Sequence, residues 1–270
     1  MRISAKISQS YKYNFICGVF RGIFLYLCVM NDFYLSKRSW WVFATAFVAV
    51  AAVAFVAIIR YDGSAPEISE YTVRGVDVSA HNGIVNFDSV KSAGYDFVIA
   101  KATEGASFKD SRFAFNMAQA RKAGLKVGAY HFYRFDVSPY LQGLNIVHSL
   151  RGQKLDLPVA IDVEQWSNPS GHTALSVLDG VNELVRYLRS RGFRVMVYTN
   201  KRGFERYLQG RKVDYPLWLC SLSDLEDKSQ CRLWQYSHSG KVKGVAGAID
   251  QNVFTGSRQE WNQWLSANMQ

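Results

Sequence analysis

The chain has 270 residues, 49 % hydrophobic and 14 % aromatic, with a formal net charge of +10. That composition supports one sizeable globular domain and argues against two. No basic run interleaved with aromatic residues occurs, which argues against nucleic acid as a partner.

Residues 1–39 carry Arg2, Lys6, Lys12, Arg21, Lys37 and Arg38 against a single acid, Asp32. Phe15 to Met30 is apolar but has Arg21 at its centre, which disfavours membrane insertion by about 2.5–3.5 kcal/mol. The compact basic-then-apolar layout after Met30 raises the alternative of a start there, with residues 1–29 a misassigned extension. From Trp40 to Ile59 the chain runs twenty residues without a charge. At a rise of about 1.5 Å per residue this helix would reach roughly 30 Å, the thickness of a hydrocarbon core. Residues 40–59 are therefore expected to be a single transmembrane helix. The positive flank places residues 1–39 in the cytoplasm and the rest outside, on a cytoplasmic membrane. A cleaved signal peptide is the competing reading. Residues 60–72, with Gly63 and Pro66, read as a linker.

From residue 73 to 270 the chain forms the outer domain. Residues 61–270 hold 25 Lys and Arg against 21 Asp and Glu, a charge of only about +4 that suits an anionic polymer or surface. Short apolar strands are expected at 73–78, 96–101, 126–132, 157–163, 193–199, 215–220, 232–236 and 247–251. Helices are expected at 85–93, 109–123, 139–150, 173–191 and 202–208. Eight strands with intervening helices predict an α/β fold, an irregular TIM-like β/α barrel. The later connections are too short for full helices, so irregularity is expected there. A doubly wound open sheet is the alternative, but no Gly-rich phosphate loop follows the first strand.

In such a barrel the site lies at the C-terminal rim of the strands. Polar and aromatic residues fall there from every strand: Asp77 and Ser79, then Lys101 and Glu104, then Tyr130 and His131. Asp162 and Glu164 follow, then Tyr198, Trp218, Gln235, Asp250 and Asn252. Asp162 and Glu164 are spaced i and i+2, so both acids point the same way. Two carboxyls at the end of an apolar strand are costly to bury without a purpose. They can break a glycosidic bond, one protonating the leaving oxygen while an anion supports the developing positive sugar. Glu164 is expected to be protonated near neutral pH, because Asp77 and Asp162 oppose a further charge, with Asp162 ionised. No close His, Asp and Glu spacing suggests a metal, despite His81 and His131. Trp234 reads as packing rather than a sugar platform, and Trp261 and Trp264 as the staple of a last helix. Cys220 and Cys231 lie where an oxidising compartment permits a disulfide, with two free buried thiols as the alternative.

Six blocks now stand in order: Asp77-Val-Ser-Ala-His-Asn-Gly83, Lys101-Ala-Thr-Glu-Gly105, Gly128-Ala-Tyr-His-Phe132, Ile161-Asp-Val-Glu164, Trp234-Gln-Tyr-Ser237 and Asp250-Gln-Asn-Val-Phe254. Together they resemble the glycoside hydrolase family 25 lysozymes, the Chalaropsis-type muramidases, over about Arg74 to Phe254. The resemblance implies cleavage of the β-1,4 bond from N-acetylmuramic acid to N-acetylglucosamine in peptidoglycan, with retention and without metal or organic cofactor. It implies that Glu164 is the general acid and base. Asp162 would be the partner carboxylate, as nucleophile or as the residue steering the 2-acetamido group. Asp77 and Asp250 match the other groove acids; Tyr130, Tyr198, Trp218 and Gln235 match its lining. Lys101 and Glu104 are further substrate-binding candidates, or a plain rim ion pair. Asn82 stands where many members have Gln. A chitinase-like glycosidase and a non-catalytic peptidoglycan-binding module are the competing functions.

Overall fold

A computed structural model of the chain describes residues 68–223 and 231–268. The leader, the apolar segment 40–59 and the linker up to residue 67 lie outside the described residues. Among the described residues no helix is long and apolar enough to cross a membrane.

The strands are β1 (Arg74–Val78), β2 (Phe97–Glu104), β3 (Phe108–Lys109), β4 (Lys126–Phe132), β5 (Val159–Asp162), β6 (Val195–Asn200), β7 (Leu217–Cys220), β8 (Cys231–Gly240) and β9 (Ile249–Phe254). The helices are α1 (Phe87–Ser92), α2 (Phe113–Lys122), α3 (Pro139–Ser149), α4 (Ala174–Ser190) and α5 (Arg258–Asn268). A short helical turn, Lys201–Gly203, continues into a π-helical turn, Phe204–Leu208. Eight strands close a barrel in the order β1-β2-β4-β5-β6-β7-β8-β9, with β9 returning to β1. The two-residue β3 only extends β2 outside the ring.

From β1 round to β8 every neighbouring pair is parallel. Strand β9 is antiparallel to both β8 and β1. Only residues 241–248 separate β8 from β9. A parallel return needs a dozen residues or more, so the chain turns back as a hairpin. This corrects one detail of the expected barrel: Asp250 opens the last strand instead of ending it. The reversal brings Asp250 to the same rim as the other site residues, directly opposite Asp77.

Alternation of side chains sorts each strand into two cores. Phe97, Ile99, Ala160, Met196, Tyr198, Trp218, Leu233 and Phe254 fill the lumen. Gly75 makes room there: a β-carbon on it would meet the Phe97 ring at 2.2 Å. Val98, Ala100, Val127, Ile161, Val195 and Val197 face outward onto the helices. Helix α4 supplies Val177, Val181, Leu184, Val185 and Leu188 to that layer. Thr173 caps its start by accepting from the Ser176 amide, and Gly192, at φ 87°, turns the chain after its end. Helix α5 closes the lumen at the pole opposite the rim. Trp261 packs 5.2 Å from Phe97 and 5.3 Å from Phe254, ring centre to ring centre. Trp234 faces the outer core, fully buried, with Tyr71 packed edge-on at 5.9 Å. The end of the sequence-assigned linker therefore belongs to the folded domain.

Candidate active site

The rim holds a buried polar floor. Oδ2 of Asp77 accepts two side-chain amides, Gln235 Nε2 and Asn252 Nδ2, each at 2.8 Å. Tyr198 donates its hydroxyl to Gln235 Oε1 at 2.7 Å. Trp218 donates its indole N–H to Asn252 Oδ1 at 2.8 Å. The rings of Tyr198 and Trp218 meet edge-on at 4.5 Å, and Tyr130 meets Trp218 at 6.5 Å. Two amides hold the Asp77 carboxyl, and Tyr198 and Trp218 hold those amides in turn. Burial pushes its carboxyl up to about 8, with Asp250 adding to the rise and the Asn252 and Gln235 donors opposing it. Trp218, Gln235 and Tyr198 were expected to line the groove. They are 2 %, 2 % and 7 % exposed, and lie beneath it as a supporting layer.

Above the floor stand Asp162 and Glu164, both brought to the mouth by β5 as their spacing predicts. The Oδ1 atom of Asp162 is buried and has no hydrogen-bond partner. Burial, and then the nearby Glu164, hold the Asp162 carboxyl well above the usual range, while Lys101 pulls it down. Glu164 is also raised by burial, with Asp250 adding to the rise. A 2.6 Å bond from Asn200 Nδ2 to its Oε1, and the nearby His238, oppose that rise. The expected split, Asp162 ionised beside a protonated Glu164, is corrected on one side: burial raises both acids. The expected repulsion between the pair appears as a rise of Asp162, and Asp250 adds to the rise of Glu164.

Lys101 donates to Glu104 Oε2 at 2.8 Å, and its ammonium lies 5.3 Å from the Phe108 ring and 5.4 Å from Phe132. Arg134 flanks Glu104 at 3.8 Å. The two form an ion pair at the rim, and Lys101 opposes the rise of Asp162. Tyr130 and His131, expected together at the rim, part company. Tyr130 faces the lumen, while His131 is buried among Thr103 Oγ1 at 2.8 Å and Gln142 Oε1 at 2.9 Å. Burial lowers His131 to about 4. Among the described residues no cluster of His, Cys, Asp and Glu could hold a metal ion.

The Cys220–Cys231 bridge is not formed, and both thiols are buried. Strand register explains it: Cys220 pairs with Gln235, and Cys231 with Leu217 at the far end of β7. A cystine needs α-carbons within about 7 Å. Instead, Cys220 Sγ lies 3.1 Å from His238 Nε2, and Cys231 Sγ donates to the Leu233 carbonyl at 3.0 Å. His238 Nδ1 lies 3.4 Å from Asp250 Oδ1, an ion pair when the ring is protonated.

Four residues of the mouth had escaped the sequence reading: Asn200, His238, Arg134 and Trp166. Asn200 shares a face with Tyr198 by strand alternation, so extending strand five by one residue would have found it. His238 sits on the part of β8 that overshoots the rim. Trp166 follows Glu164 by two residues and is 64 % exposed, its ring edge-on to Phe132 at 6.3 Å. The next residue, Ser167, has φ 63°. A non-glycine residue there costs on the order of 1–3 kcal/mol and must be held by its neighbours.

Carboxyls with raised affinity for protons, converging over an aromatic floor at the C-terminal mouth of a β/α barrel, define the protein as a glycoside hydrolase. The family model of the glycosyl hydrolases family 25 matches residues 76–245, and the chain belongs to that family. It is similar to the autolytic lysozyme of Clostridium acetobutylicum, 31 % identical over 185 residues, covering 68 % of this chain and 56 % of that protein. The match thus spans little more than half of that relative. Lysozyme M1 of Streptomyces globisporus is 33 % identical over 203 residues, 68 % of either chain. Among solved structures, a family 25 glycosyl hydrolase from Bacillus anthracis superposes with a TM-score of 0.69 at 28 % identity, covering 74 % of this chain and 96 % of that one. The bacterial lysozyme from Streptomyces coelicolor gives 0.66 at 30 % identity, with 74 % and 100 % covered.

Proposed function

We propose that the protein is a membrane-anchored muramidase that cleaves the β-1,4 bond from N-acetylmuramic acid to N-acetylglucosamine in peptidoglycan. The observation that carries this reading is the Asp162–Glu164 pair at the barrel mouth, with both carboxyls raised by burial. The likeness to lysozymes supports the polymer, and the apolar segment 40–59 supports an anchor with the barrel on the extracytoplasmic side.

Glu164 enters protonated and gives its proton to the bridging oxygen as the C1–O bond breaks, the bonding pair going to that oxygen. The bare Oδ1 of Asp162 is an acceptor awaiting a donor. The N–H of the substrate's 2-acetamido group supplies one, and the acetamido oxygen then supports C1 from the opposite face. The Asp162 carboxylate, accepting that N–H, supports the developing positive charge at the sugar. The Glu164 carboxylate next takes a proton from water, which attacks C1 as the bond that the acetamido oxygen has formed to C1 breaks, its pair returning to the acetamido group, so configuration is retained. Asp77 and Asp250 keep the mouth acidic, and Lys101 with Glu104 sets the charge beside Asp162.

The test is digestion of purified peptidoglycan by the full chain in detergent beside Glu164→Gln, with mass spectrometry of the released ends. New reducing muramic acid ends from the wild type only are expected. Reducing glucosamine ends would identify another bond, and wall binding without products would favour a binding module. Protease digestion of intact spheroplasts checks the orientation: cleavage within residues 73–270 from outside is expected, and protection of that segment would overturn it.

A further inference from the structure

We infer that Trp166 is a carbohydrate-stacking residue, forming a sugar subsite beside the scissile bond and setting affinity for the glycan. This rests on the muramidase reading of the same mouth. A large aromatic that is 64 % exposed forfeits the burial that usually stabilises it. The fold nevertheless holds this one firmly. Ser167 keeps its left-handed backbone because Arg134 Nη1 donates to the Ser167 carbonyl at 2.5 Å and lies 3.2 Å from its hydroxyl. Asn168 Nδ2 donates to the carbonyls of Glu164 at 2.8 Å and Tyr133 at 2.9 Å, and Asn168 Oδ1 accepts the Phe135 amide at 3.0 Å. Gln165 Nε2 reaches the carbonyls of Asn168 and Pro169, and Tyr207 donates to Gln165 Oε1 at 3.1 Å. Every neighbour of Trp166 in this turn is pinned, while the indole itself stands in solvent.

Its position fits a ligand of the proposed chemistry. Phe132, against which the indole stands edge-on, is the register partner of Asp162 and carries Lys101 over its own ring. The indole therefore flanks the acids at the β4–β5 side of the mouth. A β-linked glucosamine-type pyranose presents a face of C–H groups, weakly positive and apolar. An indole presents an electron-rich face, so the two stack without needing to break the sugar's hydrogen bonds to water. A ring carried on a pinned turn costs little backbone freedom on binding, which favours affinity.

The test compares wild type with Trp166→Ala and Trp166→Phe on soluble glycan fragments of alternating N-acetylglucosamine and N-acetylmuramic acid. For Trp166→Ala, KM should rise about tenfold, an amount equivalent to about 1.4 kcal/mol, with kcat within about twofold. Trp166→Phe should recover most of the affinity. An unchanged KM, or a fall in kcat alone, would overturn the inference. Binding of the same fragments to Glu164→Gln, read by calorimetry, separates this from the parent reading. Tight binding lost on adding Trp166→Ala supports the subsite even if the wild type cleaves a different bond. Equal binding with and without Trp166 rejects the subsite even if the muramidase reading stands.

Discussion

Asn200 donates its side-chain amide to Glu164 Oε1 at 2.6 Å, so the residue ending β6 sets the proton affinity of the acid beyond the end of β5. The bond favours the charged carboxylate and opposes the rise caused by burial. Asn200→Ala should leave Glu164 protonated to higher pH. The alkaline limb of kcat/KM should move upward, and activity should fall about tenfold through lost positioning. An alkaline limb that stays put would remove Asn200 from this role. Glu164→Gln in the same assay should lower kcat by a factor of about a thousand.

Asp77 makes stability depend on pH in an unusual direction for an acid. Its carboxyl is held up to about 8 against an ordinary 3.8, so the folded chain keeps a proton that the unfolded chain releases. The contribution is complete below about 3.8 and is lost as pH rises through about 8, on the order of a few kcal/mol. Thermal melting should therefore weaken across that interval. Asp77→Asn, which keeps an acceptor for Gln235 and Asn252, should flatten the decline, with the Asp162 share remaining. Melting curves of the two proteins that fall in parallel would show that Asp77 does not titrate this way.

Trp261 is buried at the closed pole among Phe97, Phe254 and Trp264. Trp261→Ala should cost about 3–5 kcal/mol of stability by the cavity it leaves. Urea unfolding measures that loss. The folded fraction should retain its KM, because the substitution lies away from the mouth. A loss below about 1 kcal/mol would mean that α5 is a loose attachment.

Cys220 and Cys231 should both take up an alkylating reagent when the protein is denatured without reductant. Peptide mapping reads this directly, and the melting temperature should be indifferent to reductant. Recovery of a cystine-linked pair would contradict the β7–β8 register.

Much of this molecule was legible from spacing alone. Asp162 and Glu164 share a face because strands alternate, and eight apolar runs sufficed to announce a barrel. Trp234 and Trp261 also took the packing roles their context suggested. What escaped depends on distances between segments remote in the chain. The direction of β9 follows from hairpin closure, and it sets Asp250 opposite Asp77. Whether Trp218 lines a groove or lies under it depends on lumen depth, which no local pattern encodes. The exposure of Trp166 depends on a left-handed Ser167, held by Arg134 from β4's far end, a residue with no motif to mark it.

The antiparallel β9 has a practical corollary. Since β1 starts and β9 ends at the pole sealed by α5, the polypeptide enters and leaves the barrel on one side, the side away from the acids. Arg258, at the start of α5, ties the two ends together by reaching the Thr72 carbonyl and both Asp96 oxygens. The strands that carry the acids end at the opposite, open face. The working face is left free to meet a polymer too large to diffuse.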